Sequence, residues 1–465
     1  MNRKPAAATN STTATPSSKT NNKLSVKPKS IMDDSSFTDL QFTYDEMELD
    51  DMVSNIMFGS SSSSEEEETS NGRAPNKKRD FLRAYEQQIA FYFNGKESVY
   101  SEADFERRFR VPRSVFNRVH DACMGEYPFI HYQDAAKKMG VFPLVKLVGC
   151  FRYLAYGDEV DRDDENLPSG ESTLNPIIKL FTRMIVDKFG SQYLNRCPTD
   201  AERRTISNVM AKKGFPGCLA SWDCKHFNWK NCPLRLSGQH KGHKDGGKNT
   251  LILEAISDHR RYIWYANFGD AGSLNDLNVL DKSSIVGAML GGELAVKAPD
   301  SYTINGRSRD WMYFLVDGIY PEWSIFVNTY SKPTEANKRK FAKKQEAVRK
   351  DIECAFGVLV LRWHILQRPL LQWYLEDIIS LLHCCVIIHN MVVEARAGHV
   401  DDPMDDTTNN SFPLFGHNQV SAQMAAMDGV NLFAARMDAF DTMMQSVTEH
   451  YHLKNDLTTY ISKNF

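Results

Sequence analysis

Apolar residues recur three and four positions apart through Phe105–Val119, Leu144–Leu154 and Ile177–Phe189, so the chain from about Phe81 to Lys213 reads as helices with few strand signals. Asn175-Pro176 places a capping residue before a proline suited to the first helical position, and Ser172 offers a second start. Two helices around the acidic loop Gly157–Ser169 fit a helix-turn-helix-like unit or, more commonly, a plain bundle. At Gly214-Phe215-Pro216-Gly217 the pattern changes. Short β-rich runs follow at Cys218–Asp223, Asn249–Ser257, Tyr262–Phe268 and Trp311–Asp317, then long helical segments at Thr334–Trp363 and Leu375–Val393. Successive strands followed by helices predict an α/β layer, a mixed sheet covered by helices. In the helix over 338–361, Phe341, Val348, Ile352, Phe356 and Leu359 form one stripe that faces a sheet.

The ends of the chain lack such periods. Residues 1–76 are Ser/Thr/Asn-rich, with Ser60–Ser64 running into Glu65–Glu68, and cannot bury enough surface to offset ordering entropy; a disordered tail is expected there. Within it, Phe37–Met57 mixes acidic and apolar residues as segments that fold on a partner do. Lys77-Lys78-Arg79 is a short basic run of the nuclear-import kind. The remaining divisions are a helical region over 77–213, an α/β domain over 214–397, a linker over 398–422 and a C-terminal helical segment over 423–465 that docks back on the core.

Charge sharpens this division. The net charge of -3 hides -5 in residues 1–76 (7 Lys/Arg against 12 Asp/Glu) and -6 in residues 398–465 (3 against 9), which leaves +8 in residues 77–397. A basic middle between acidic ends suits a polyanion such as DNA, although ordinary solvated charge accounts for it as readily. Nine cysteines without a repeating spacing do not form a disulfide framework in a chain this long. No uninterrupted apolar run approaches the roughly 20 residues of a membrane span, and no signal-peptide core is evident, so the expected setting is a reducing cell interior.

Two carboxylates carry candidate chemistry. Asp223 ends the first apolar run and Asp317 ends the last, which predicts both at the C-terminal edges of strands, where open α/β sheets bind ligands. Glu353 lies beside the apolar stripe of its helix, on an element that also carries Lys343, Lys344, Arg349 and Lys350. Three converging carboxylates repel one another unless divalent cations neutralise them, and an all-oxygen ligand set favours Mg²⁺ or Mn²⁺. Two such ions, about 4 Å apart, activate water or a 3′-hydroxyl and stabilise the leaving oxygen. Cys224, His226, Cys232, His240 and His243 raise the alternative of zinc, but their spacing forms no Cys-x-x-Cys knuckle. His226 reads as a site-lining or packed histidine, while Lys241, Lys244 and Lys248, with Lys343, Lys344, Arg349 and Lys350, are suited to gripping phosphates.

Several strings then resemble one family. They are Gly214-Phe-Pro-Gly-Cys-Leu-Ala-Ser-Trp-Asp-Cys-Lys-His226, Trp229-Lys-Asn-Cys-Pro233, Ile252-Leu-Glu-Ala255, Gly272-Ser-Leu-Asn-Asp-Leu-Asn-Val-Leu280, Val316-Asp-Gly-Ile-Tyr-Pro321, Arg349-Lys-Asp-Ile-Glu-Cys-Ala-Phe-Gly357 and Ile388-His-Asn-Met391, with Leu154-Ala-Tyr-Gly157 and Gly170-Glu-Ser-Thr173 upstream. In this order they resemble the plant-type PIF/Harbinger transposases, over roughly Phe81 to Val393. The resemblance implies an RNase H-like catalytic fold and cut-and-paste transposition of double-stranded DNA, acting on terminal inverted repeats and a target site. It also implies nuclear location and a separate Myb-like DNA-binding partner protein. The need to process two DNA ends makes a homodimer the default. Carried over residue by residue, the catalytic, metal-holding acids fall on Asp223, Asp317 and Glu353, with 35 residues between the last two. Asp276 also matches a motif, and its place at a helix start argues for a cap or a support to the ligands. Trp222 and Lys225 depart from the pattern without touching an acid. The rival reading is a domesticated, non-cutting DNA-binding or chromatin-associated protein that keeps the fold as an interaction surface.

Overall fold

The computed structural model describes residues 79–131, 139–157, 171–242, 246–290, 297–397 and 446–465. The tail over 1–76, the Phe37–Met57 patch, the Lys77-Lys78 pair, the linker over 398–422 and the stretch from there to residue 445 lie outside the described residues, as do Lys244 and His243.

Helices fill the first described part, as the spacing predicts. They are α1 (Phe81–Gln88), α2 (Glu102–Phe109), α3 (Arg113–Met124), α4 (Pro143–Tyr156), α5 (Glu171–Tyr193) and α6 (Asp200–Lys212), with a single turn at Tyr127–Ile130. The periodic span Phe105–Val119 is broken in two because Arg110 turns left-handed (φ 61°) and Pro112 cannot continue a helix. Helix α5 begins before Asn175-Pro176 and carries Pro176 inside it, so the proline does not occupy the first helical position. In the second turn it removes one hydrogen bond, to the Ser172 carbonyl, and the rest of the helix continues. Helix α6 starts in a capping box: the Thr199 hydroxyl accepts from the Glu202 N–H, and the Glu202 carboxylate accepts from the Thr199 N–H.

The sheet is mixed and five-stranded, flanked by helices, in the order β3-β2-β1-β6-β7. Strands β1 (Cys218–Asn228), β2 (Thr250–Ser257) and β3 (Ile263–Ala271) are antiparallel, whereas β6 (Tyr313–Leu315) and β7 (Phe326–Val327) run parallel to β1. Between β1 and β2 lies α7 (Leu234–His240); α8 (Asp276–Leu280) and α9 (Ser284–Leu290) follow β3. A separate hairpin, β4 (Lys297–Ile304) with β5 (Arg307–Trp311), precedes β6. Asp223 does not end its strand. Strand β1 continues five residues beyond it, paired only with β2, because β6 stops at Leu315.

Helix α10 (Ala336–Arg362) buries its whole predicted stripe, Phe341, Val348, Ile352, Phe356 and Leu359, on the sheet side. Helix α11 (Leu375–Ala397) lies against β3 and α5. Contrary to the expectation from uninterrupted runs, α11 is long and apolar enough to cross a membrane. Most of it is buried inside this protein, however, and a core helix meets the same criterion. Two of its buried polar residues find partners there: Asp377 pairs with Lys179 Nζ (2.8 Å) and Arg183 (3.1 Å) of α5, and the Asn390 amide bonds both backbone groups of Ile263. The helix α12 (Val447–Asn464) docks on α10 and β7 through buried Leu453, Leu457 and Ile461. The turn into β1 uses Gly217 at φ +80°, where a Cβ would stand 2.0 Å from the Tyr302 ring.

Candidate active site

Strand register builds the site. In the parallel pair, Ser221 lies beside Leu315; two residues further along each chain come Asp223 and Asp317, so the register, continued past the end of β6, sets the two residues at one level. Parallel strands end here because Asp317-Gly318 turns away, the Asp317 carboxylate accepting from the Gly318 N–H at 2.7 Å. The backbone just before the turn is fixed from below. Buried Gln345 of α10 donates from Nε2 to the Val316 and Val327 carbonyls, both at 3.0 Å, tying the ends of β6 and β7 to the helix.

One turn beyond Gln345, the same helix supplies Arg349 and then Glu353. The Arg349 guanidinium donates from Nη1 to Asp223 Oδ2 (3.1 Å) and from Nη2 to Glu353 Oε1 (2.8 Å), so one cation joins two of the three acids. Arg349 and Asp223 are largely enclosed, with side chains 15% and 18% exposed, whereas Glu353 is 46% exposed. Burial drives the Asp223 carboxyl up to about 6 despite the opposing pull of Arg349 and of the Cys224 N–H; negative charge on Asp276 and Asp317 adds to the rise. That coupling places Asp223, Asp276 and Asp317 in one electrostatic neighbourhood. Among the described residues, no three His, Cys, Asp or Glu side chains are gathered closely enough to hold an ion as they stand. The donor chemistry still fits a hard divalent cation, because all three acids offer only carboxylate oxygen and Arg349 already stands between two of them as a positive charge.

The remaining candidates distribute around this notch. Asp276 is not the cap of α8: Asn275 is, its Oδ1 accepting from the Asn278 N–H at 2.8 Å, and Asp276 is the first helical residue. His226 lies on the face of β1 opposite to Asp223, since alternate residues point to opposite sides, and its Nδ1 meets Thr250 Oγ1 at 3.1 Å. His240 bonds the Thr250 carbonyl and packs on Trp229. Lys241, Lys248, Lys343 and Lys350 are exposed. Two of the basic residues assigned to phosphates are engaged otherwise. Arg349 is bound to the acids, and the Lys344 ammonium sits 3.4 Å from the centroid of the Phe465 ring, so neither stands free for DNA in this arrangement.

The sequence spacing marks Arg349 as a neighbour of Glu353 as well as a basic residue, because an Arg four residues before a Glu on a helix lies beside it on the surface. A second feature had no sequence signal. On the other face of the sheet from Asp223, Glu254 is fully buried, accepts from Trp222 Nε1 (3.0 Å) and Ser283 Oγ (2.8 Å), and is pushed by burial up to about 8.

With this geometry in hand, comparison with known proteins gives one match. A family model described as plant transposon protein matches residues 191–400, a span that holds every strand, α10, α11 and all the candidate acids. No curated protein and no solved structure matches the chain.

Proposed function

We propose that this transposon-related protein is a metal-dependent DNA nuclease and strand transferase of the DDE type, of the PIF/Harbinger kind. The observation that carries the reading is the parallel register of β1 and β6, which brings Asp223 and Asp317 level, with Glu353 joined to Asp223 through Arg349. Three antiparallel strands followed by two parallel ones, with α10 crossing the sheet, support an RNase H-like fold for the domain.

Asp223, Asp317 and Glu353 would hold Mg²⁺ or Mn²⁺, which when bound activates the attacking oxygen and steadies the leaving one. The protein's own part is positional. Gln345 fixes the backbone before Asp317, α10 presents Glu353 from a rigid helix, and Arg349 neutralises Asp223 and Glu353 until ions take over that task. Asp276 adds negative charge beside Asp223 and so favours cation binding. In cleavage, the oxygen of water bonds to phosphorus and the P–O3′ bond breaks, leaving a 3′-hydroxyl and a 5′-phosphate. In joining, that 3′-hydroxyl attacks a target phosphodiester and releases another 3′-hydroxyl. Exposed Lys241, Lys248, Lys343 and Lys350 grip backbone phosphates. The partners on this reading are double-stranded DNA at transposon ends and target, a Myb-like DNA-binding protein and a second copy of the chain, in the nucleus.

One observation favours the non-cutting alternative: Arg349 already fills the gap between two acids, as it would in a protein that had given up its metal. A cleavage assay with Mg²⁺ or Mn²⁺ on DNA bearing the element's terminal repeats separates the two. Nicking by the wild type and its loss in Asp317→Ala are expected; equal nicking by both proteins refutes the assignment.

A further inference from the structure

Of the seven tryptophans, five are buried or half-buried, Trp311 is 38% exposed, and Trp373 is the most exposed, at 59%. Beside it Tyr374 is 60% exposed and Leu371 48%. Large apolar side chains in water on a short connection have a physical cost, and this group does not sit on a loose loop. The Leu370 N–H donates to the Asn228 carbonyl (2.8 Å) and the Lys230 N–H to the Leu370 carbonyl (3.0 Å), while Asn231 and Trp229 side chains hold the Leu371 and Gln372 carbonyls. The rings are therefore carried on backbone fastened to the far end of β1, the strand that bears Asp223.

The segment to which they are fastened is strongly basic. From Cys224 to Leu253 the sequence has six Lys/Arg (residues 225, 230, 235, 241, 244 and 248) and a single acid, Asp245. Lys230, Arg235, Lys241 and Lys248 are exposed, and none forms an ion pair with a described residue. A patch for a protein partner is depleted of charge around its apolar centre; here exposed Lys230 is bonded through its backbone to Leu370, Lys179 Nζ stands 5.5 Å from the Tyr374 ring centroid, and the connection that carries Lys230 is basic, the combination that grips a phosphate backbone and stacks on bases. Bases inside a duplex are closed to such stacking, so the ligand must expose them.

We propose that Trp373 and Tyr374, with the basic β1–β2 connection, form a stacking platform for unpaired bases of the bound DNA; the proposal rests on the nuclease reading for why DNA is there. Six residues of extended strand separate Asp223 from Trp229, about 20 Å at roughly 3.3 Å per residue.

The test uses the full chain in chelator, where nothing is cut. Binding is measured to a fully paired duplex and to the same duplex with a short unpaired segment carrying 2-aminopurine. Wild type is expected to prefer the unpaired form and to quench the probe. Trp373→Ala/Tyr374→Ala should bind that form about tenfold more weakly, lose the quench and leave duplex binding unchanged. Trp373→Phe/Tyr374→Phe, which keeps flat rings, should retain both preference and quench and guards against a folding defect. Equal binding of both DNAs by wild type and the alanine variant overturns the platform and assigns the patch to a protein partner; so does loss on both DNAs alike. Because cleavage is not read, a quench that persists in a protein which never cuts retains the platform and rejects only the nuclease.

Discussion

Replacing Arg349 with Leu keeps the aliphatic packing of α10 and removes only the guanidinium that links Asp223 to Glu353. The two bonds are unequal in worth. Glu353 is 46% exposed and one helical turn away, a setting in which an ion pair contributes about 0.3–0.5 kcal/mol. Asp223 is only 18% exposed, and removing its guanidinium leaves an enclosed carboxylate with the Cys224 N–H as its donor, at a cost of about 2 kcal/mol. In chelator near neutral pH, the variant is therefore expected to lose about 2–3 kcal/mol, nearly all through Asp223. For a domain of this size that lowers the thermal midpoint by about 4–6 °C. Added Mn²⁺ should then raise the variant's midpoint more than the wild type's, because in the wild type an ion must first displace the guanidinium. Thermal unfolding followed by circular dichroism, with and without the ion, reads both effects. A variant as stable as wild type in chelator would show that the bridge carries no energy; a variant that responds less to Mn²⁺ would show that Arg349 helps to hold the cation.

Other outcomes follow from buried groups. Glu254 has a folded value of about 8, above its unfolded value, so its contribution is complete below about pH 4.5 and is lost as pH rises through about 8. Glu254→Gln should flatten that slope and, near pH 8, exceed wild-type stability by on the order of 3 kcal/mol, with parity or a small deficit near pH 5. Denaturant titrations at the two pH values check this, and a variant that tracks the wild-type slope removes Glu254 as its source. Leu457→Ala, at a fully buried position of α12, should cost about 2–5 kcal/mol. An unchanged unfolding midpoint would mean that α12 is not docked in solution.

Legibility in the sequence followed burial. The stripe Phe341 to Leu359 was readable because one face of α10 is apolar at helical spacing and all of it packs on the sheet. Strands β2 and β3 were readable as compact apolar runs, since both faces are covered. The β4–β5 hairpin was not, because its residues are mostly half-exposed and polar, and β7 is two residues long. Asp223 lies inside β1 and not at the strand end its apolar run suggests, because the length of β1 beyond it is set by its neighbour β2. Among the basic residues, composition could not distinguish Arg349, turned inward to two acids, from Lys343 and Lys350, which face water.

The docking of α12 also sets a timetable for synthesis. His450 bonds the Trp323 and Phe326 carbonyls, and Lys454 bonds Asn328 and the Thr329 carbonyl, so the edge of the sheet next to the Asp317 turn is completed by residues 124–127 positions further along the chain. At about 5–20 residues per second, that edge waits on the order of 6–25 s before its cover has been made. A nascent chain interrupted after residue 353 and before residue 450 carries all three acids but lacks the clamp on the strand beside them.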